Sequence, residues 1–133
     1  MAVVSTESVP ITSEPDVVTV RRRVREVSAQ LGLSLVDQTK IITAASELAR
    51  NTVIYGGGGS MQVQTLNGPR VGLRLTFEDH GPGIPDVELA LRDGFTTGSG
   101  LGLGLGGSKR LVNEFEIVSR PGEGTRITIT RWK

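Results

Sequence analysis

The segment from Gly94 to Gly107 restricts the folds open to this chain, because half of its residues are glycine. Glycine costs roughly 0.5–1 kcal/mol relative to alanine inside a helix or strand, so neither element is expected to run through the whole segment. Backbone amides in such a loop, with the amino end of a following helix, are suited to bind an anion such as phosphate. The segment therefore predicts a phosphate-binding loop, with a ligand-free flexible lid as the alternative.

Side chains in and after this loop add possible donors to the phosphate site. Thr97 and Ser99 carry hydroxyl groups, and either Lys109 or Arg110 is placed to reach a phosphate. A dinucleotide-binding loop is not predicted, because the sequence before the glycines is not a strand. A Walker loop is excluded because Ser108 separates the last glycine from the lysine.

Asp79 follows an alternating apolar stretch and is followed by Gly81 and Gly83. A carboxylate accepts a hydrogen bond from the exocyclic amine of adenine, whereas guanine presents an acceptor at that position. The two glycines would let the backbone pass close to the base. This pattern predicts an adenine site, and a turn capped by aspartate is the alternative.

Glu47 and Asn51 are four residues apart on a predicted helix, so their side chains lie one above the other. The amide oxygen of Asn51 suits a hard cation such as magnesium, and Glu47 could accept a proton from an attacking hydroxyl group. The alternative is a solvated helix surface on which Glu47 has Arg50 as its neighbour.

Hydrophobic periodicity and turn residues predict helices grouped before and between antiparallel strands, which indicates an α+β sandwich of two layers. Strands are predicted at Met61 to Leu66, Val71 to Phe77, Phe115 to Ser119 and Thr125 to Thr130, after a first strand that ends at Ile11-Thr12. Helices are predicted from Ser13 to Gly32, from Ser34 to about Tyr55, from Val87 to Leu91 and from Ser108 to Asn113.

The composition fits one domain over residues 1–133, with 15 basic and 14 acidic residues and no cysteine. This balance gives no case for nucleic acid, and no apolar run is long enough to span a membrane. No signal peptide is evident, so the cytoplasm is the expected location. Arg21 to Arg23 and Arg25 form a basic cluster, for which a solvated helix face is favoured over a docking patch.

Three motifs together resemble the GHKL superfamily of ATPases and kinases: Glu47-x-x-x-Asn51, Asp79-x-Gly81-x-Gly83 and Gly100-Leu-Gly-Leu-Gly104. The resemblance covers nearly the whole chain. Within the superfamily, four segments look like the RsbT-type switch kinases of the bacterial stressosome: Ser46 to Asn51, Asp93 to Thr97, Gly104 to Leu111 and Glu114 to Ile117.

The resemblance implies a Bergerat fold, in which a mixed, mostly antiparallel sheet carries helices on one face and a glycine-rich lid covers ATP. It implies that Asn51 ligates magnesium, that Glu47 is the catalytic base, and that Asp79 reads adenine in a pocket shaped by Gly81 and Gly83. The remaining ATP-binding residues would be Thr97, Ser99, Gly100, Leu101, Gly102, Leu103, Gly104 and Lys109.

RsbT-type kinases phosphorylate serine or threonine on STAS-domain partners of the RsbS and RsbR type, and they activate a PPM-type phosphatase of the RsbU type. The resemblance therefore implies a serine/threonine kinase that signals by partner switching. The alternatives are a nucleotide-gated binding module with negligible catalysis and a detached histidine-kinase catalytic domain. In the latter, the sole histidine, His80, lies inside the adenine motif, so such a domain would act on a partner.

Overall fold

The structure, a computed structural model, describes residues 2–91 and 104–133 as a sheet with helices packed on one face. Five strands pair in the order β1-β2-β3-β5-β4. In chain order the elements are β1 (Ala2–Ile11), α1 (Glu14–Gln30), α2 (Leu35–Ile54), β2 (Gly59–Asn67), β3 (Gly72–Asp79), α3 (Val87–Ala90), α4 (Gly104–Arg110), β4 (Glu114–Arg120) and β5 (Gly124–Trp132). The predicted α+β class is confirmed.

All four pairings between these described strands are antiparallel, so the mixed pairing expected for the sheet is not present among them. The reason lies in the last hairpin. β4 is at the edge, and β5 returns between β3 and β4, with Phe77 opposite Ile127. This insertion separates β3 and β4, which run in the same direction and would otherwise form a parallel pair.

The two long helices begin and end where local chemistry predicts. At the start of α1, the carboxylate of Asp16 accepts the Ser13 N–H at 3.3 Å, and at the start of α2 the Ser34 hydroxyl accepts the Asp37 N–H at 3.1 Å. Each contact satisfies an amide that has no partner within its helix. Gly32, between the helices, has a φ of +81°, which glycine adopts without the steric cost borne by other residues.

The core lies between the two long helices and the sheet. The inner positions of α2 are buried, as are the apolar residues of the central strands that face them. The α2 positions are Ile41, Ala44, Ala45, Leu48 and Thr52, and the strand positions include Met61, Val63, Leu73, Leu75, Phe77, Ile127 and Ile129. This packing fixes α2 across the sheet and hence the direction of its polar side chains.

The helix after the glycine-rich segment differs from its predicted bounds of Ser108 to Asn113. The helix α4 spans Gly104–Arg110, so it starts earlier, within the glycine-rich sequence. Leu105 and the three residues after it are buried, and α4 packs against α2. Small residues allow this close approach, and tertiary packing thereby outweighs their poor helix propensity.

The end of α4 is held by the last strand. Nη1 of Arg131 donates to the Leu111 carbonyl at 3.3 Å, and Nη2 donates to Asp37 at 2.6 Å. This hydrogen bond lowers the pKa of Asp37 below its ordinary value. Arg131 thus connects the chain just after α4 to the first turn of α2.

No helix within residues 2–91 and 104–133 is both long and apolar enough to cross a membrane.

Candidate active site

Glu47 lies on α2 with only 7% of its surface exposed. Its Oε1 accepts a hydrogen bond from the Gly104 N–H at 3.2 Å, and its Oε2 lies 3.4 Å from Nη1 of Arg50. The alternative prediction of a solvated helix surface is therefore wrong for Glu47. Its prediction that Arg50 lies beside Glu47 is confirmed. The carboxylate is fixed between the first residue of α4 and a partly exposed guanidinium group.

Asn51 lies one helical turn after Glu47 and is partly buried. Four residues of helix advance about 6 Å along the axis, which separates the two polar groups without placing them on different faces. The backbone carbonyl oxygen of Asn51 accepts the Tyr55 N–H at 2.9 Å and the Gly56 N–H at 3.3 Å. The last turn of α2 therefore leads directly to Gly56.

Asp79 is the last residue of β3, and its Oδ1 accepts the Gly81 N–H at 2.9 Å. The aspartate-capped turn is therefore present. The other oxygen, Oδ2, faces Gly56, where an added Cβ would lie 2.5 Å from it. The turn contact occupies one oxygen only, so capping the turn and accepting a hydrogen bond from adenine are compatible roles.

Gly56 brings the parts of the site together. An added Cβ on Gly81 would lie 2.8 Å from the Gly56 Cα, so two backbone segments are in contact there. The end of α2 is thus packed directly on the turn that follows β3. Three of the predicted residues are thus connected through the chain: Glu47 and Asn51 share α2, and Gly56 links the end of α2 to Asp79.

The second glycine of the adenine motif has a different neighbour. Gly83 has a φ of +79°, and an added Cβ would overlap the carbonyl oxygen of Arg120. Next to it, the Ile84 N–H donates to the Ser119 hydroxyl at 2.7 Å. Gly124, also at positive φ, packs on the backbone of Asp79. The β4–β5 turn therefore supports the motif.

The sequence analysis missed Gly56, Ser119 and Gly124 as supports of this site. Glycine at a helix end or in a hairpin turn indicates only a change of chain direction. The close approaches join residues far apart in the sequence, and no local pattern reports them.

Several predicted ATP-binding residues lie outside the described part of the chain: Thr97, Ser99, Gly100, Leu101, Gly102 and Leu103. Gly104 is described and lies beside Glu47. Lys109 is exposed on the last turn of α4, and His80 is exposed in the loop after β3. The predicted lid extended to Gly107, but its last four residues are in α4.

Two concavities lie away from Glu47 and Asn51. The larger, of about 740 Å³, is on the open face of the sheet and is lined by residues that include Arg74, Thr76 and Thr128. The smaller, of about 290 Å³, is beside Asp79 and is lined largely by the β4–β5 hairpin. The larger is not the candidate site, because it contains none of the three connected residues.

Within residues 2–91 and 104–133, no group of three or more His, Cys, Asp or Glu side chains is arranged to hold a metal ion. The side-chain amide oxygen of Asn51 is the type of ligand that hard cations prefer.

The comparisons with known proteins agree with this geometry. The family described as histidine kinase-, DNA gyrase B- and HSP90-like ATPases matches residues 36–133. The chain is 46% identical to the serine/threonine-protein kinase RsbT of Bacillus subtilis, over 93% of this chain and 94% of that protein. The chain is an RsbT-type member of this ATPase family. The predicted resemblance is therefore confirmed, and the family consists of ATP-using proteins.

More distant relatives of this RsbT-type protein include an anti-sigma F factor of Thermoanaerobacter. The identity is 32%, over 84% of this chain and 82% of that protein. Among solved structures, the RsbU and RsbW domains of a Mycobacterium tuberculosis protein superpose with a TM-score of 0.67 and 24% identity. That match covers 96% of this chain and 32% of the other, and it supports the fold.

Proposed function

We propose that this chain, a single domain over residues 1–133, transfers the γ-phosphate of ATP to a serine or threonine of a STAS-domain protein. The observation that carries the proposal is the environment of Glu47. Its buried carboxylate accepts a hydrogen bond from the Gly104 N–H at 3.2 Å and lies one turn before Asn51. A buried carboxylate with a restricted orientation supports the role of a base on a bound acceptor.

ATP would lie along the end of α2. Adenine would face Asp79. There the absence of side chains at Gly56 and Gly81 lets the end of α2 pack directly on the turn after β3. The phosphates would lie between Asn51 and the part of the glycine-rich segment that leads to Gly104. Magnesium, held by the Asn51 amide oxygen and the phosphates, would neutralise negative charge that develops during transfer.

In the proposed reaction, Glu47 accepts the proton of the attacking hydroxyl group. The hydroxyl oxygen forms a bond to the γ-phosphorus, the bond from that phosphorus to the β–γ bridging oxygen breaks, and ADP leaves. Positioning and electrostatics account for most of catalysis in phosphoryl transfer. Burial of Glu47 and its two contacts supply that positioning, because they restrict the carboxylate to one orientation.

Two further parts of the proposal rest on the RsbT relative. The partners would be STAS-domain proteins of the RsbS and RsbR type, which act as substrate and scaffold in the cytoplasm. After release from them, the kinase would activate a PPM-type phosphatase of the RsbU type. The similarity to RsbT and to an anti-sigma factor supports signalling by exchange of protein partners.

Phosphate transfer from labelled ATP and magnesium to a STAS-domain protein encoded beside this chain tests the proposal. We expect acid-stable label on serine or threonine, and loss of that label in Asn51→Ala. The matched control is Asn67→Ala, which changes an exposed asparagine at the end of β2. ATP binding without transfer to any neighbouring STAS protein would contradict the kinase proposal and favour a nucleotide-gated binding module.

A further inference from the structure

Arg50 lies beside Glu47, and the proposed reaction uses it only to orient the carboxylate. Its Nη1 is 3.4 Å from Oε2 of Glu47, and its side chain is 43% exposed. Within residues 2–91 and 104–133, this is the one hydrogen bond or ion pair that the guanidinium group makes. Because a guanidinium group carries several N–H donors in a planar fork, most of the donor capacity of Arg50 is unused.

Arg50 and Asn51 lie on opposite sides of Glu47 around the axis of α2. Each residue of an α-helix is rotated by about 100° from the one before it, so Arg50 is displaced from Glu47 by about 60° in one direction. Asn51 is displaced by about 40° in the other direction, which is the direction of the buried Leu48. The base therefore lies between the proposed phosphate side of α2 and its outer surface.

The direction from which an acceptor can reach Glu47 follows from this arrangement. The core closes the Leu48 side of α2, and ATP would occupy the Asn51 side. Among the described residues, the side that remains open is the one on which the partly exposed Arg50 lies. A substrate segment that brings its hydroxyl group to the base would therefore cover Arg50.

Covering Arg50 removes its positive charge from water, and this is costly unless an anion accompanies it. Glu47 supplies that anion before transfer, but it becomes neutral when it accepts the hydroxyl proton in the proposed reaction. A carboxylate on the substrate would keep Arg50 paired throughout. It would also bind two N–H groups of the fork, which gives orientation as well as attraction.

We infer that Arg50 selects the acceptor by binding a carboxylate of the protein substrate that lies beside the phosphorylated hydroxyl group. The inference rests on the proposed kinase function and adds a specificity-determining residue and the chemistry that this residue recognises. The competing role for Arg50 is a contact with the γ-phosphate of ATP. The position of Arg50, on the side of Glu47 away from Asn51, favours the substrate carboxylate.

Steady-state transfer to the STAS-domain protein encoded beside this chain tests the inference. The variant is Arg50→Gln, and the matched control is Arg74→Gln, which removes the same charge on the open face of the sheet. We expect the KM for the protein substrate to rise about tenfold in Arg50→Gln and to be unchanged in the control, with the KM for ATP unchanged in both. Because glutamine retains an N–H donor for Glu47, kcat should fall by a smaller factor than KM rises.

A double-mutant cycle across the two proteins identifies the recognised carboxylate. Mass spectrometry locates the labelled residue, and each Asp or Glu beside it on the partner is changed to Asn or Gln. Neutralising the recognised carboxylate should raise KM about tenfold with the wild-type chain and less than about twofold with Arg50→Gln, because the contact is then already lost.

Equal KM values for the partner in Arg50→Gln and Arg74→Gln would overturn the inference. So would a rise in the KM for ATP alone, or additive effects for every acidic residue beside the acceptor. If the wild-type chain transfers no phosphate, the kinase proposal fails, and calorimetry of partner binding with a non-hydrolysable ATP analogue tests the Arg50 contact separately. Weaker partner binding by Arg50→Gln than by Arg74→Gln would then support the contact, and equal binding would overturn it.

Discussion

The carboxylate of Glu47 and the backbone amide of Gly104 are joined by a hydrogen bond of 3.2 Å. These residues belong to the middle of α2 and to the first position of α4. The contact places the candidate base against Gly104, the first described residue of the predicted phosphate-binding segment. A change in the position of α4 would therefore alter the hydrogen bond that orients the Glu47 carboxylate.

The adenine assignment predicts that Asp79→Ala weakens ATP binding. Asp79 is partly buried, and loss of an acceptor that bound adenine would cover costs about 1–3 kcal/mol, which corresponds to at most roughly a hundredfold in affinity. Calorimetric titration with ATP measures the effect. The control is Glu78→Ala, which removes the exposed carboxylate of the preceding residue. ATP affinity that is the same in both variants would remove the assignment.

The contact between Gly83 and the β4–β5 turn predicts that two glycine substitutions lower the free energy of unfolding by different amounts. Gly83 and Gly122 have nearly the same φ, +79° and +80°, but an added Cβ overlaps Arg120 only at Gly83. Gly122→Ala should cost about 1–2 kcal/mol for the left-handed backbone. Gly83→Ala should cost about 1–3 kcal/mol more because of the overlap.

Urea denaturation measures the free energy of unfolding of these two variants. Equal losses of stability in Gly83→Ala and Gly122→Ala would show that the contact with the β4–β5 turn does not constrain Gly83.

The ion pair between Asp37 and Arg131 predicts a pH-dependent contribution to stability. The arginine lowers the pKa of Asp37, so the folded state favours the ionised carboxylate. The contribution should be fully present above the ordinary carboxyl pKa of about 3.9 and should disappear as the pH falls through the lowered value.

A double-mutant cycle with Asp37→Asn and Arg131→Met, followed by urea denaturation between pH 3 and pH 7, measures this coupling. We expect a constant coupling free energy near neutral pH and a decline below about pH 4. A coupling free energy that does not change over this range would contradict the pair's assigned role.

The sequence predicted the features that depend on neighbouring residues. The caps at Ser13 and Ser34 and the two hairpins follow from short-range hydrogen bonding and turn chemistry, and the burial of α2 follows from its periodicity. The start of α4 was predicted wrongly, because its packing against α2 is a contact distant in sequence. The same limit applies to Gly56 and Gly124, whose close approaches exist only after the sheet has formed.

The central claim is that Glu47 is the base of a protein kinase, and single-turnover transfer by Glu47→Gln tests it most directly. The matched control is Glu116→Gln, on the open face of the sheet. With ATP and the STAS partner both saturating, we predict transfer about a hundred- to ten-thousandfold slower for Glu47→Gln, and unchanged for the control. ATP affinity should change much less. Transfer by Glu47→Gln at the wild-type rate would contradict the account.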